Sequence, residues 1–547
     1  MQSGIKFDLN FDVVVVGAGS AGCVVATRLS ERRDTDVCLI EAGDRDRNPW
    51  FHIPMGFGKT TVNPKYLWGY RTEPDPGIAD RSLVWTRGRV LGGSGSINGL
   101  VFLRGASSDY DEWDRQGARG WSYRDVLPYF RKMETSAVGK DEDHGRSGPI
   151  TITTNKRPSD TAKAFLASCE KLQFSRNTDF NSGRIDGVGF VPINVDGRWR
   201  HSTASAYLRP NLHRPNLKLL KRMTVRKVLF EGRRAVGVEA ISEGRTLRIG
   251  ARKEVVLSGG AINSATLLLS SGVGPADELS TLSIDVVHHL PGVGKNLQDH
   301  LNVGLSYRTN VADSLNLALT SRWKSAKLMA DWLFTKSGPI AGGATEATLF
   351  ARTDPTLPVP DLQFQFMNFS RDPASGQPYR EAGCTLLFNV CRPKSRGEIR
   401  LKFTDRLEPS ILPNYFSDPD DMSRMVAGYE LTCRIAEAEP FRSLVVKRIR
   451  PDADRLSRDE IELFPRSSAN TTYHPCGTCR MGEDHGAVVD SRLKVRGMQA
   501  LRIVDASGDA VHSVSEHPSR DNHDCGKGLR YDWERSRLGS ARYRHGR

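Results

Sequence analysis

Gly17, Gly19 and Gly22 stand in the spacing G-x-G-x-x-G directly after the apolar, β-branched run Val13–Val16, and a helical pattern follows through Leu29. Each glycine answers a separate physical need. Gly17 permits a tight turn, Gly19 lets a pyrophosphate approach the backbone, and Gly22 lets helix and strand pack closely. A helix opening at Ser20 offers unsatisfied N–H groups and the positive end of its dipole to the phosphates. A second strand, "DVCLIE", ends in Glu41. That acid accepts hydrogen bonds from ribose hydroxyls and disfavours a 2′-phosphate, so NADP is not expected. Three glycines alone would signal only a turn; strand, loop, helix, strand and terminal acid together predict dinucleotide binding. The loop does not choose between FAD and NAD. Cys476 and Cys479, in "HPCGTCRMG", form the one close cysteine pair. Their spacing suits a redox or metal half-site, but no second pair and no βαβ start accompany them, and no metal is expected.

A strand–loop–helix of this kind needs a parallel sheet behind it, and 547 residues are enough for two domains or one intertwined body. Hydrophobic residues at 38% and charged residues at 26% fit a water-exposed globular fold, and no stretch is apolar enough to span a bilayer. The start, "MQSGIKFDLNFDVVVVG", lacks the basic, apolar and small-residue zones of a secretory signal. Nine cysteines in this length indicate a reducing compartment. The net charge of +14 is dispersed among 64 acids, with no basic run, so no nucleic-acid partner is expected. Weak attraction to an anionic membrane face remains open.

The segment "WTRGRVLGGSGSINGLVFLRG", Trp85 to Gly105, resembles the first signature of the glucose–methanol–choline (GMC) oxidoreductases. Gly92-Gly93-Ser94-Gly95 has little side-chain bulk and suits close approach of backbone to a cofactor. The resemblance implies FAD, with Gly92, Asn98 and Gly99 among its contacts. Some family members carry a His just before that Asn and attach FAD covalently; Ile97 stands there, so non-covalent FAD is expected. "NLKLLKRMTVRKVLFEGRRAVGVE" resembles the return to the FAD domain, where the backbone at Val225 would meet the adenine. "LSGGAINSATLLLSSGVGP" matches the second signature except for Ala265, and "LPGVGKNLQDH" is a further close match. From about 310 to 470 the likeness is diffuse. There "PDLQFQF" alternates as a strand does, with Phe364 and Phe366 on one face, and Glu346 is a candidate partner for a substrate cation, weighed against an ordinary structural acid.

In "NTTYHPCGTCRMG" the family carries its catalytic base at the position of His474. Pro475 keeps the backbone at His474 out of helix, and an imidazole titrates in the range needed to take a hydroxyl proton while hydride leaves for a flavin. "LRIVDAS" implies that the Asp505 and Ala506 backbone meets the flavin. The likeness stops at Ser507. Residues 508–547 contain no Ile, Met or Phe but hold His512, His517, His523 and His545. Read one base out of register, Asp521–Gly528 allow Thr-Ile-Met-Ile-Ala-Glu-Lys, and Glu516 into His517 allows the Asn expected as second catalytic residue. The span 508–547 is therefore read as a frameshifted tail.

The expected fold is α/β: a Rossmann-like FAD-binding domain built from discontinuous segments, with an inserted substrate domain of antiparallel β-sheet plus helices. Residues 8–308 make the FAD-binding half, including some substrate-domain strands near 150–210; 309–470 are mainly substrate domain; 471–507 return to the FAD domain. The implied activity is oxidation of a small-molecule alcohol to an aldehyde or ketone, with a quinone or other electron acceptor. The expected location is cytoplasmic, with peripheral association to the inner membrane left open. The alternatives are an oxygen-using oxidase, a flavin-bearing lyase and a catalytically impaired flavoprotein remnant.

Overall fold

Val13–Val16 are all buried, as a central parallel strand covered above and below its sheet requires. In the computed structural model, which describes residues 4–372, 376–453 and 456–510, the strand Leu9–Val16 lies between Val37–Ile40 and Arg245–Leu257. Leu217–Leu220 extends one edge, parallel to Val37–Ile40. On the other side Leu501–Ile503 pairs in parallel with Val255–Leu257. The first half of Arg245–Leu257 instead runs antiparallel to Arg234–Ser242, which pairs with Thr224–Glu231. Strands far apart in sequence thus make one doubly covered sheet, the Rossmann-like arrangement expected. The helix Ser20–Leu29 begins where Gly19 is still extended, and it buries Ser20–Thr27 against this sheet.

A second, antiparallel sheet runs in the order Val445–Arg450, Leu301–Thr309, Gly383–Val390, Leu362–Met367, Thr345–Ala351, Gly187–Phe190. Leu301–Thr309 pairs along its length with Gly383–Val390, so the chain has entered this sheet by residue 301, within the span 8–308. One face is packed by the helices Asp160–Lys171 and Pro419–Glu437. Phe364 and Phe366 do share that face: Phe366 stacks on Phe165 and Phe364 lies against Phe388. Their neighbours Gln365 and Met367 point the other way, into a large cavity.

A buried polar cluster lies where the chain leaves the glycine-rich segment. Arg104 Nη2 donates to Glu134 Oε1 at 2.7 Å, and neither side chain is exposed at all. His144 bridges Glu134 at 2.8 Å and Asp179 at 3.0 Å. Arg104 follows the glycine-rich segment, so the cluster sets the position of that segment's C-terminal end.

The frameshift reading falls mostly on residues 511–547, which lie outside the described residues. Gly508, Asp509 and Ala510 are described, and all three are buried.

Candidate active site

The two sheets enclose a cavity of about 2300 Å3. Its cofactor-side wall starts with the first glycine loop. At Gly17, with φ +100°, a Cβ would lie 2.5 Å from Ser258 O; at Gly22 it would lie 1.8 Å from Gly17 O. Protein fills both places. A Cβ on Gly19 would meet nothing within 4 Å, so this glycine alone of the three leaves open space for a ligand. Ser20 lines the same space. Glu41 reaches back under the loop, where its carboxylate accepts from the Ala18 N–H at 2.9 Å and the Gly43 N–H at 2.7 Å. Burial pushes its carboxyl up to about 7 against those two amides.

The second glycine segment closes on the first. The Gly92 N–H donates to Ala18 O at 2.8 Å, and a Cβ on Gly93 would lie 2.8 Å from Gly19 Cα. Gly92 does not reach the cavity; like Gly22 it supports the loops by packing. Asn98 and Gly99 do line it, and a Cβ on Gly99 would meet nothing within 4 Å. Arg200, invisible as a site residue in the sequence, holds this turn. Its guanidinium donates to Asn98 Oδ1 at 2.6 Å and Asn98 O at 2.7 Å, and burial pushes it down to about 9. Ile97 is buried and offers no atom for a covalent flavin link. Val225, Asp505 and Ala506 also line the cavity. Asp505 accepts from the Gly260 N–H at 2.8 Å and Ser264 Oγ at 2.6 Å, tying the last strand to the second signature.

His474 also lines this space, on a segment held by a buried carboxylate. Asp299 accepts from the His474 N–H at 2.8 Å, Thr471 Oγ1 at 2.7 Å and Tyr415 Oη at 2.5 Å. Burial pushes the Asp299 carboxyl above its ordinary value. The segment then pairs with the end of the last strand: the Gly477 N–H donates to Ala506 O at 3.1 Å and the Cys479 N–H to Ser507 O at 2.8 Å. Cys476 and Cys479 are both buried, and among the described residues no group of three or more His, Cys, Asp or Glu side chains could hold a metal ion.

The tautomer of His474 follows from its neighbours. His300 Nε2 lies 2.8 Å from Cys391 O. A carbonyl only accepts, so Nε2 carries the proton and a neutral His300 presents a lone pair at Nδ1. That lone pair faces His474 Nδ1 at 3.1 Å. Thr472 Oγ1 donates to His300 O at 2.8 Å and so accepts from the same His474 Nδ1, 3.2 Å away. His474 therefore carries its proton on Nδ1, leaving Nε2 with the lone pair a base needs. Asp299 and His300 were legible only as the end of "NLQDH", with no role attached. If His300 sets this tautomer, His300→Leu should lower kcat/KM by about 10- to 150-fold, one hydrogen bond to a group that becomes charged. His300→Gln, which keeps a donor and an acceptor, should recover most of it. Equal losses in both variants would make His300 merely structural.

Glu346 is not brought to the cavity. Thr345 faces it, but the strand alternation turns Glu346 away, where Oε2 accepts from the Ser159 N–H at 2.8 Å. Burial pushes this carboxyl up.

A Rossmann-like sheet with an open glycine at Gly19, a buried acid at Glu41 and an imidazole lining the same cavity is the arrangement of a dinucleotide-dependent oxidoreductase. Family models described as GMC oxidoreductase match residues 11–302 and 393–519. The chain belongs to the GMC oxidoreductase family, and its cofactor is FAD. It is 38% identical to alcohol dehydrogenase [acceptor] of Pseudomonas putida, over 91% of each chain. It is 40% identical to mitochondrial choline dehydrogenase of Mus musculus, covering 91% of this chain and 85% of that protein. Among solved structures, pyridoxine 4-oxidase from Mesorbium loti superposes with TM-score 0.85 at 30% identity, over 95% of this chain and 99% of that one.

Proposed function

We propose that the protein oxidises an alcohol to an aldehyde or ketone, with His474 taking the hydroxyl proton at Nε2. The observation that supports this is the Nδ1–H tautomer of an imidazole that lines the same cavity as the open glycines. Gly17, Gly19, Ser20 and Glu41 would hold the adenosine and pyrophosphate side of FAD, with the Val225 backbone at the adenine. Asn98, Gly99, Asp505 and Ala506 would hold the flavin side. FAD, when bound, supplies the acceptor for the hydride that leaves the alcohol carbon. The Asp299 anchor and the His300–Thr472 pair keep the His474 ring aimed while its charge changes.

The test is an anaerobic absorbance spectrum of the flavin-loaded chain before and after a panel of primary alcohols. Bleaching by one of them supports the reading; a flavin that dithionite reduces and no alcohol reduces removes it. The tail bears on the rate. We read residues 508–547 as out of frame, so a chain with the frame restored after Ser507 should bleach on the order of 10²-fold faster, the worth of one acid–base group. Equal rates would refute that reading.

The electron acceptor we propose is a quinone or similar carrier, met by a peripheral protein at the cytoplasmic face of the inner membrane. Supporting this, the helix Arg322–Thr335 lines the cavity with Leu328 and Met329 on one side. On the other it leaves Trp323 and Phe334 each 86% exposed, beside Arg322, Lys324 and Lys327. Such a face suits an anionic bilayer surface. No helix among the described residues is long and apolar enough to cross a membrane. Replacing Trp323 and Phe334 together by Ser should abolish sedimentation with anionic vesicles; unchanged sedimentation would exclude this helix as the contact.

A further inference from the structure

The wall of the cavity that a substrate would meet is built by the antiparallel sheet, and its charge is one-sided. Four acids line the cavity among the described residues: Glu41, Glu243, Glu408 and Asp505. None belongs to the antiparallel sheet. Glu41 and Asp505 are engaged by backbone amides on the cofactor side. Glu243 follows the strand Arg234–Ser242 of the parallel-sheet body, and Glu408 is paired to Arg406 at 2.8 Å. Glu346, the one acid the sequence offered there, points out of the cavity.

What the sheet does present is neutral or cationic. Ser306 Oγ and Thr385 Oγ1 bond each other at 3.0 Å, and Thr345 Oγ1 donates to Gln365 Oε1 at 3.2 Å. Met367, Phe369 and Leu387 supply apolar surface, with Leu328, Met329 and Ile340 at the rim. Arg371 and Arg450 also line this part. Burial pushes the Arg450 guanidinium below its ordinary value, with Arg81 and Arg371 adding to it and Tyr379 and Asp372, which does not line the cavity, opposing it.

We propose that this site takes an alcohol whose body is apolar and uncharged, and that it discriminates against a quaternary ammonium. The inference rests on the alcohol-oxidising reading above. A trimethylammonium group entering this space would lose water, find no carboxylate from the sheet among the described residues and lie beside Arg371 and Arg450, whereas a tert-butyl group of the same shape would lose nothing by entering.

The test compares choline with its neutral isostere 3,3-dimethylbutan-1-ol on the flavin-loaded full chain. Two readouts are taken: the rate of anaerobic flavin bleaching, and the dissociation constant from perturbation of the flavin spectrum. The isostere is expected to lead in kcat/KM by about 100-fold. Gln365→Glu, which places a carboxylate on the sheet, should shift that ratio towards choline by about tenfold or more. Choline matching or beating the isostere in the native chain would overturn the proposal. Bleaching by neither, with dithionite still effective, would return the alcohol-oxidising reading to the wider panel of alcohols, while the binding titration would still rank the two molecules and so decide the proposal separately.

Discussion

Replacing His474 with alanine should leave a yellow, folded protein whose flavin is bleached by alcohol about 10²- to 10⁴-fold more slowly, the span that one positioned base contributes. Retention of flavin is expected because the open glycines, the Glu41 carboxylate and the Asp505–Ala506 turn all lie on other elements. The main-chain anchor also survives: Asp299 accepts from the backbone N–H of residue 474, whatever side chain stands there. Stopped-flow reduction under anaerobic conditions measures the effect, and added imidazole should restore part of the rate by filling the space. A variant that reduces flavin at the native rate would mean that another group takes the proton. Loss of flavin along with the rate would make His474 a structural residue.

The second large effect is on stability. Arg104→Met should cost about 3–5 kcal/mol, because Glu134 is left as a buried carboxylate without its guanidinium. Against a typical total of about 5–15 kcal/mol, such a loss would lower the denaturation midpoint sharply. Glu134 would then rest on His144 and the Gly145 N–H alone. The same cluster gives the fold a pH dependence with a definite sign. Burial alone would depress the His144 imidazole, but Asp179 and Glu134 outweigh it and raise it above its ordinary value of 6.5. Its contribution is complete below 6.5 and fades as pH rises through the higher folded value. Burial would raise the Asp179 carboxyl, but His144 holds it below its ordinary value of 3.8. That contribution is complete above 3.8 and fades as pH falls through the folded value. The pair therefore stabilises most between pH 3.8 and 6.5. His144→Gln should lower the melting temperature in that window and flatten its decline towards alkaline pH; an unchanged decline would assign the pH dependence to other groups.

What could be read from the chain alone were features in which local backbone geometry does the chemistry. G-x-G-x-x-G after a β-branched run, Glu41 at a strand end and Pro475 after His474 each state a requirement that neighbouring residues satisfy, so sequence distance is no obstacle. The same holds for the alternation that put Phe364 and Phe366 on one face. Which face it would be was not legible. A strand's own pattern does not say on which side the cavity lies, and that is why Glu346 looked available for a substrate and is turned towards Ser159 instead.

Tertiary structure decided the remainder, because the deciding contacts join distant segments. Gly92 proves to be a packing glycine only once Ser96 Oγ is found where its Cβ atom would sit. Arg200 bonds Asn98 across 102 residues, and His300 meets His474 across 174. No local pattern encodes such pairs; they arise when two sheets, each assembled from separated strands, close on one space. From the residues alone came a dinucleotide fold, an oxidoreductase family and the expectation that His474 is the base. The fold determined which nitrogen of His474 holds its proton, and that among the described residues the antiparallel sheet brings no acid to the cavity.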